Sequence, residues 1–133
     1  MTAYKSLSLE PGSDGVVEVT MRGPGKGNAM GPDFWREMPI VFEALDRDAS
    51  VRCVLIRGSG GQFSYGLDLP AMMTELGPLL GGDGMASVRA RLLDLIAAMQ
   101  QACDRVATCR KPVVAAVAGR CIGGGLDLVA ACD

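Results

Sequence analysis

The stretch GRCIGGGLDL, Gly119–Leu128, sets three consecutive glycines, Gly123, Gly124 and Gly125, directly before a run of helical character. Upstream of it, KPVVAAVAG (Lys111–Gly119) is an apolar run that reads as a buried strand. Downstream, LDLVAAC places Asp127 among small and aliphatic side chains. Glycine at such a point costs backbone entropy, so the position has to require bare backbone. A helix that starts straight after a strand presents N–H groups with no helical partner. Its aligned peptide dipoles add partial positive charge at the same place. With no side chains in the way, a ligand oxygen can approach closely, which is the requirement of an oxyanion hole. Tight packing of helix on strand is the alternative use for the same glycines.

Working outward, FSYGLDL (Phe63–Leu69) repeats the device, with Gly66 at the end of another strand-like segment. Two N–H donors converging on one oxygen polarise a carbonyl better than one. The remaining chain alternates. YKSLSLE and GVVEVTM have a period of two and flank PGSDG, a β-hairpin pattern. RGPGKGNAMGP is a glycine-rich connection without a G-x-G-x-x-G or Walker pattern. From Pro32, PDFWREMPIVFEALDRD places Phe34, Met38, Val41, Phe42 and Leu45 on one helical face, and Pro39 is expected to kink or divide that helix. VRCVLIRG reads as a short buried strand. FSYGLDLPAMM runs into a turn and a short helix, LGPLLGGDG (Leu76–Gly84) is a flexible loop by composition, and Met85–Cys109 has a long helical pattern. Strands are therefore expected near residues 4–9, 15–21, 51–57 and 113–117, with a helix beginning close to Gly123. Strand and helix in alternation define an α/β layered fold with some parallel pairing.

Composition narrows the chemistry. At 133 residues, 49% hydrophobic and 21% charged, the chain suits one globular domain. A net charge of −2 with scattered Lys and Arg gives no nucleic-acid footprint. No apolar run reaches the roughly 18 to 20 residues of a membrane span. The N-terminus lacks a signal layout, so a cytoplasmic location is expected. The cysteines Cys53, Cys103, Cys109, Cys121 and Cys132 are odd in number and irregular in spacing, which fits free thiols and argues against a zinc site. Histidine is absent, so Ser-His-Asp, Cys-His and histidine–metal sites cannot be assembled from this chain alone. Any acid–base step falls to carboxylates.

GQFSYGLDL followed by KPVVAAVAGRCIGGGLDLVAACD resembles the paired signatures of the crotonase superfamily, the enoyl-CoA hydratase/isomerase group. GNAMGPDFWREM, VRCVLIRGSG and the opening hairpin match in the same order. The resemblance implies an α/β, crotonase-like (ClpP/crotonase) fold with a ββα-type spiral core. Residues 1–133 would be the N-terminal part of a single such domain, truncated before its C-terminal helical region. It implies that an acyl-CoA thioester carbonyl is held by the backbone N–H groups of Leu67 and Gly124. Tyr65, Gly66, Leu67, Asp68, Leu69, Gly123 and Gly124 would contact the substrate. Coenzyme A is then part of the substrate, and no separate cofactor or metal is implied. Hydratases of the superfamily usually carry glutamate after GGGL. Asp127 at that position, with CIGGG and FWREM, is more similar to Δ3,5-Δ2,4-dienoyl-CoA isomerases, and it gains a catalytic role by that likeness.

Other readings stand beside these. Asp68 in a turn can simply cap the following helix. Asp127 is costly to bury unless it is paired or protonated. Phe34 and Trp35 are expected in the core, Met85 and Met99 in core or lid packing, and Arg89, Arg91, Asp94 and Arg105 on a solvated helix face. Activities carried forward are dienoyl-CoA isomerisation, 2-enoyl-CoA hydration, and acyl-CoA binding without turnover, because no second acid–base group is evident. The resemblance also implies a homo-oligomer, a trimer or dimer of trimers, with no nucleic-acid or membrane partner.

Overall fold

The computed structural model describes residues 4–23, 25–81 and 84–133. The hairpin forms as expected: β1 (Leu7–Pro11) pairs antiparallel with β2 (Val16–Met21) across a single 3-10 turn, Ser13–Gly15. The chain then passes through α1 (Pro32–Arg47), β3 (Cys53–Gly58), α2 (Leu69–Leu80), α3 (Ala86–Ala107), β4 (Val113–Ala116) and α4 (Gly124–Ala130). The sheet runs β1-β2-β3-β4, and β2/β3 and β3/β4 are parallel. Parallel neighbours need a crossover between them, and α1 and then α2 with α3 occupy those connections.

Register explains the core. Val17 lies opposite Val54, and Val54 opposite Val113; Val19 lies opposite Ile56, and Ile56 opposite Ala115. Because side chains alternate along a strand, this pairing puts one row from each strand on one face. Val17, Val19, Met21, Val54, Ile56 and Val113 are all buried there. They meet the apolar stripe of α1, whose buried residues are Phe34, Met38, Val41, Phe42 and Leu45, as the 3.6-residue spacing predicts. From α3, Ala102 and Val106 complete the same core.

Four sequence expectations need correction. β3 is buried on one face only: Arg57 points outward, where its guanidinium meets Glu18 at 3.4 Å. β4 is the end strand of the sheet and exposes Val114, so its apolar run is not fully buried. Pro39 does not divide α1, which continues unbroken to Arg47. Proline cannot donate to the Trp35 carbonyl one turn back, but the buried stripe on either side holds the helix together. Finally, Leu76–Leu80 is the end of α2 rather than a loop, despite Pro78. Leu79 there shares a groove with Val88 and Leu95 of α3, so interhelical contact overrides local composition. Gly82 and Asp83 of that expected loop lie outside the described residues.

One exposed ion pair ties the end of α1 to the segment entering β4. Asp46 accepts from the Arg110 Nε at 2.9 Å and from its backbone N–H at 2.8 Å. These bonds hold the Asp46 carboxyl down to about 2, below its ordinary 3.8. A carboxyl lowered in the folded state contributes stability above its unfolded pKa and loses that contribution as pH falls through the folded value. Asp46→Asn is therefore expected to destabilise the chain near neutrality and to have little effect near pH 2. Urea unfolding of both proteins across that range measures the difference, and a gap that persists unchanged at the acid end contradicts this account.

Candidate active site

Two short parallel bridges build the site at the ends of the strands. Met30↔Leu67 joins the glycine-rich loop to the segment after β3, and Ser64↔Cys121 joins that segment to the turn after β4. In the first, the Met30 N–H donates to the Gly66 carbonyl at 2.7 Å and the Asp68 N–H to the Met30 carbonyl at 3.0 Å. In the second, the Ser64 N–H donates to the Arg120 carbonyl and the Ile122 N–H to the Ser64 carbonyl, both at 3.0 Å. The two glycine segments singled out in the sequence are thereby brought side by side.

Their contact is intimate. Gly66 has φ +85°, and a Cβ built on it would stand 2.6 Å from the Ile122 carbonyl oxygen and 3.3 Å from the Gly124 nitrogen. No side chain fits there. Gly123, at φ +51°, caps α4, and Gly124 is that helix's first residue. Among the described residues, neither the Leu67 nor the Gly124 N–H has a hydrogen-bond partner. The Gly66 carbonyl is fixed by Met30, and a trans peptide is planar, so the Leu67 N–H points away from Met30.

Asp127 lies one helical turn further on. It is exposed, so the cost of burying an unpaired carboxylate does not arise, and it lines an open cleft of about 580 Å³. The other walls are Trp35, Ile96, Met99, Gln100, Cys103 and Asp104. Trp35 is half-buried and packs against the core; its indole N–H donates to the Met30 carbonyl at 3.2 Å, and Phe34 meets it edge-on at 5.0 Å. Its Cη2 comes within 3.6 Å of the place a Gly124 Cβ would take, so one ring borders both Gly124 and the Asp127 cleft. Leu67 and Gly124 are not themselves among the cleft walls. Burial, then the charges of Asp127 and Asp104, pushes the Cys103 thiol up from its ordinary value, which leaves it a neutral wall.

The remaining sequence candidates divide. Asp68 caps α2, its carboxylate accepting the Ala71 N–H at 3.1 Å. Tyr65 is half-buried, and the Arg120 guanidinium sits 5.3 Å from its ring centroid. Leu69 is exposed at the start of α2. Met99 lines the cleft, but Met85 is exposed and makes no core. Arg89, Arg91, Asp94 and Arg105 are exposed as expected. Sequence reasoning passed over Asp104, Ser64 and Asn28. Asn28 has φ +53°, and its amide nitrogen reaches the Ser59 and Gln62 carbonyls at 2.8 and 2.7 Å, locking the glycine-rich loop to the end of β3. The signal available was an asparagine inside GKGN, a residue type that tolerates a left-handed backbone.

The fold is crotonase-like α/β, as likeness to solved enoyl-CoA hydratases shows. The solved structure of a putative enoyl-CoA hydratase from Streptomyces coelicolor A3(2) superposes with a TM-score of 0.82 at 31% identity, covering 100% of this chain and 45% of that one. The enoyl-CoA hydratase/isomerase family model matches residues 12–133, and the chain belongs to that family. The human mitochondrial Delta(3,5)-Delta(2,4)-dienoyl-CoA isomerase is 43% identical over 132 residues, 98% of this chain and 40% of the relative. A probable enoyl-CoA hydratase from Rhizobium meliloti (strain 1021) is 30% identical over 131 residues, 98% of this chain and 45% of the relative. The chain thus spans less than half the length of these relatives.

The glycine requirement at Gly66 can be measured. Gly66→Ala adds a methyl against the Ile122 carbonyl in a backbone conformation that L-residues avoid. A loss of about 1–3 kcal/mol in urea unfolding is expected. A change within about 0.5 kcal/mol would mean the two segments have room to separate.

Proposed function

We propose that this chain carries the thioester-binding part of an acyl-CoA double-bond isomerase acting on dienoyl-CoA. The thioester oxygen accepts from the Leu67 and Gly124 N–H groups. The Asp127 carboxylate takes a proton from a carbon of the acyl chain, and the electron pair of that C–H bond moves through the conjugated system onto the thioester oxygen as an enolate. A proton donated at another carbon by a second acid closes the shift as the thioester carbonyl reforms, and Asp127 gives up its own proton to solvent. Substrate contacts extend along Tyr65–Leu69 and Gly123. The observation that carries this reading is the Gly66–Gly124 contact, beside which two N–H groups on adjacent segments, one turn from Asp127, have no partner among the described residues. Identity of 43% to a dienoyl-CoA isomerase supports isomerisation over hydration, as does aspartate in place of the hydratase glutamate.

Hydration is the second reading, favoured by the relative named a probable enoyl-CoA hydratase. Turnover of a 3,5-dienoyl-CoA against a 2-enoyl-CoA separates the two, and binding of both without turnover points to a carrier. Asp127→Asn keeps the shape and removes the base, so acyl-CoA binding survives while isomerisation falls about a hundredfold or more. Unchanged isomerase activity would leave Asp127 a structural residue. Gly124→Pro removes one donor at a first-turn position that tolerates proline. A Gly124 Cβ would lie 3.0 Å from the buried Met30 sulfur, which has to give by a few tenths of an ångström. Turnover is expected to drop roughly a hundredfold.

Assembly belongs to the same proposal. Val114, Val117, Ile122 and Leu126 are exposed around β4 and the start of α4, apolar surface that a trimeric homo-oligomer would cover. Light scattering across a wide concentration range is expected to show multiples of three chains. A dispersed monomer throughout contradicts it.

A further inference from the structure

Ser64 is fully buried, with 0% exposure, and every polar atom it has is engaged. Its hydroxyl donates to the Asn28 carbonyl at 2.9 Å and accepts the Gly66 N–H at 3.0 Å. Its backbone bonds both Arg120 and Ile122. A Cβ on Gly125 would lie 3.1 Å from the Ser64 Cβ and 3.2 Å from its carbonyl oxygen. One side chain therefore touches the glycine-rich loop, the Gly66 turn and the first turn of α4.

We infer that Ser64 is a positioning residue that sets the direction of the Leu67 N–H relative to the Gly124 N–H; this rests on the proposed two-donor reading. The physical problem it solves is glycine's freedom. Gly66 must be glycine because Ile122 and Gly124 leave no space for a Cβ, and glycine is the residue whose backbone turns most readily. The peptide joining Gly66 to Leu67 would then be the loosest part of the site. The Ser64 hydroxyl fixes the Gly66 N–H on one side of the Gly66 Cα, and Met30 fixes the Gly66 carbonyl on the other. With both held, the planar peptide has one orientation and the Leu67 N–H one direction. Alanine at position 64 would leave the Gly66 N–H and the Asn28 carbonyl short of a partner inside the protein. Threonine would press a methyl into a crowded space beside Gly125. Cysteine fits better but offers only a weak S–H donor and a weak sulfur acceptor.

The readout is the thioester carbonyl itself. A 2,4-dienoyl-CoA labelled with carbon-13 at the carbonyl is bound to the protein at its full encoded length, and isotope-edited infrared difference spectra give the carbonyl stretch. Polarisation by two aligned donors lowers that frequency from its value in water. Ser64→Ala is expected to lose part of the lowering, with kcat down about ten- to a hundredfold and KM changed far less. Ser64→Cys should fall between Ala and wild type, and it serves should the alanine protein fail to fold. Phe42→Leu, a core change away from the site, should cost stability and keep the full carbonyl shift. A Ser64→Ala or Ser64→Cys protein with the complete shift and undiminished kcat overturns the inference and leaves the two-donor reading standing. A wild-type protein with no lowering at all overturns both.

Discussion

The contact between the backbone of Gly66 and that of Ile122–Gly124 is the constraint on which the site depends. It brings together two connections that leave the ends of neighbouring parallel strands, β3 and β4, and it does so without any side chain between them. Parallel neighbours emerge at the same end of a sheet, so topology alone delivers both segments to one place. The bridges Met30↔Leu67 and Ser64↔Cys121 then convert proximity into registry. Neither bridge is part of a longer strand. Each fixes a single residue pair, enough to orient one peptide while its neighbours stay free to meet a ligand.

The helix dipole, attractive from the sequence, has little length to build on. α4 has 7 residues, about two turns, and few peptides contribute to an aligned field. What remains is local: on Gly124 and on Leu67, an N–H without an acceptor among the described residues. Hydrogen-bond donors of this kind act over one contact distance and gain strength as water is removed. Under the proposed reading their direction would therefore matter more than any long-range potential.

Patterns of apolar residues made the frame legible. Alternation gave the hairpin, and the spacing of Phe34, Met38, Val41, Phe42 and Leu45 gave the buried face of α1. The glycines at 66 and 123–125 marked where bare backbone was needed. The cleft was another matter, because its walls come from three separate helices. Trp35 reads as a core residue, and that its ring also borders Gly124 shows only in three dimensions. Asp104 looks like one more charge on a long helix until α3 is laid across from Asp127. Ser64 carries no pattern at all, since a buried hydroxyl is recognisable only by its partners. Loop composition misled at Leu76–Leu80 because packing of α2 on α3 outweighs glycine and proline there.

Asp127 shows how the parts must cooperate under the proposed reading. An exposed carboxylate in an open cleft is well solvated, and proton abstraction from carbon requires it to shed that water. Trp35, Ile96 and Met99 give the cleft apolar walls against which an acyl chain would lie. Under that reading the acyl chain's hydrocarbon would displace water from around the base as its thioester oxygen engaged the two N–H groups. Desolvation strengthens those hydrogen bonds and leaves the carboxylate less well hydrated. Substrate length and shape thereby become part of the chemistry: a thioester too short to cover Trp35 and Met99 would bind through its oxygen and leave Asp127 in water.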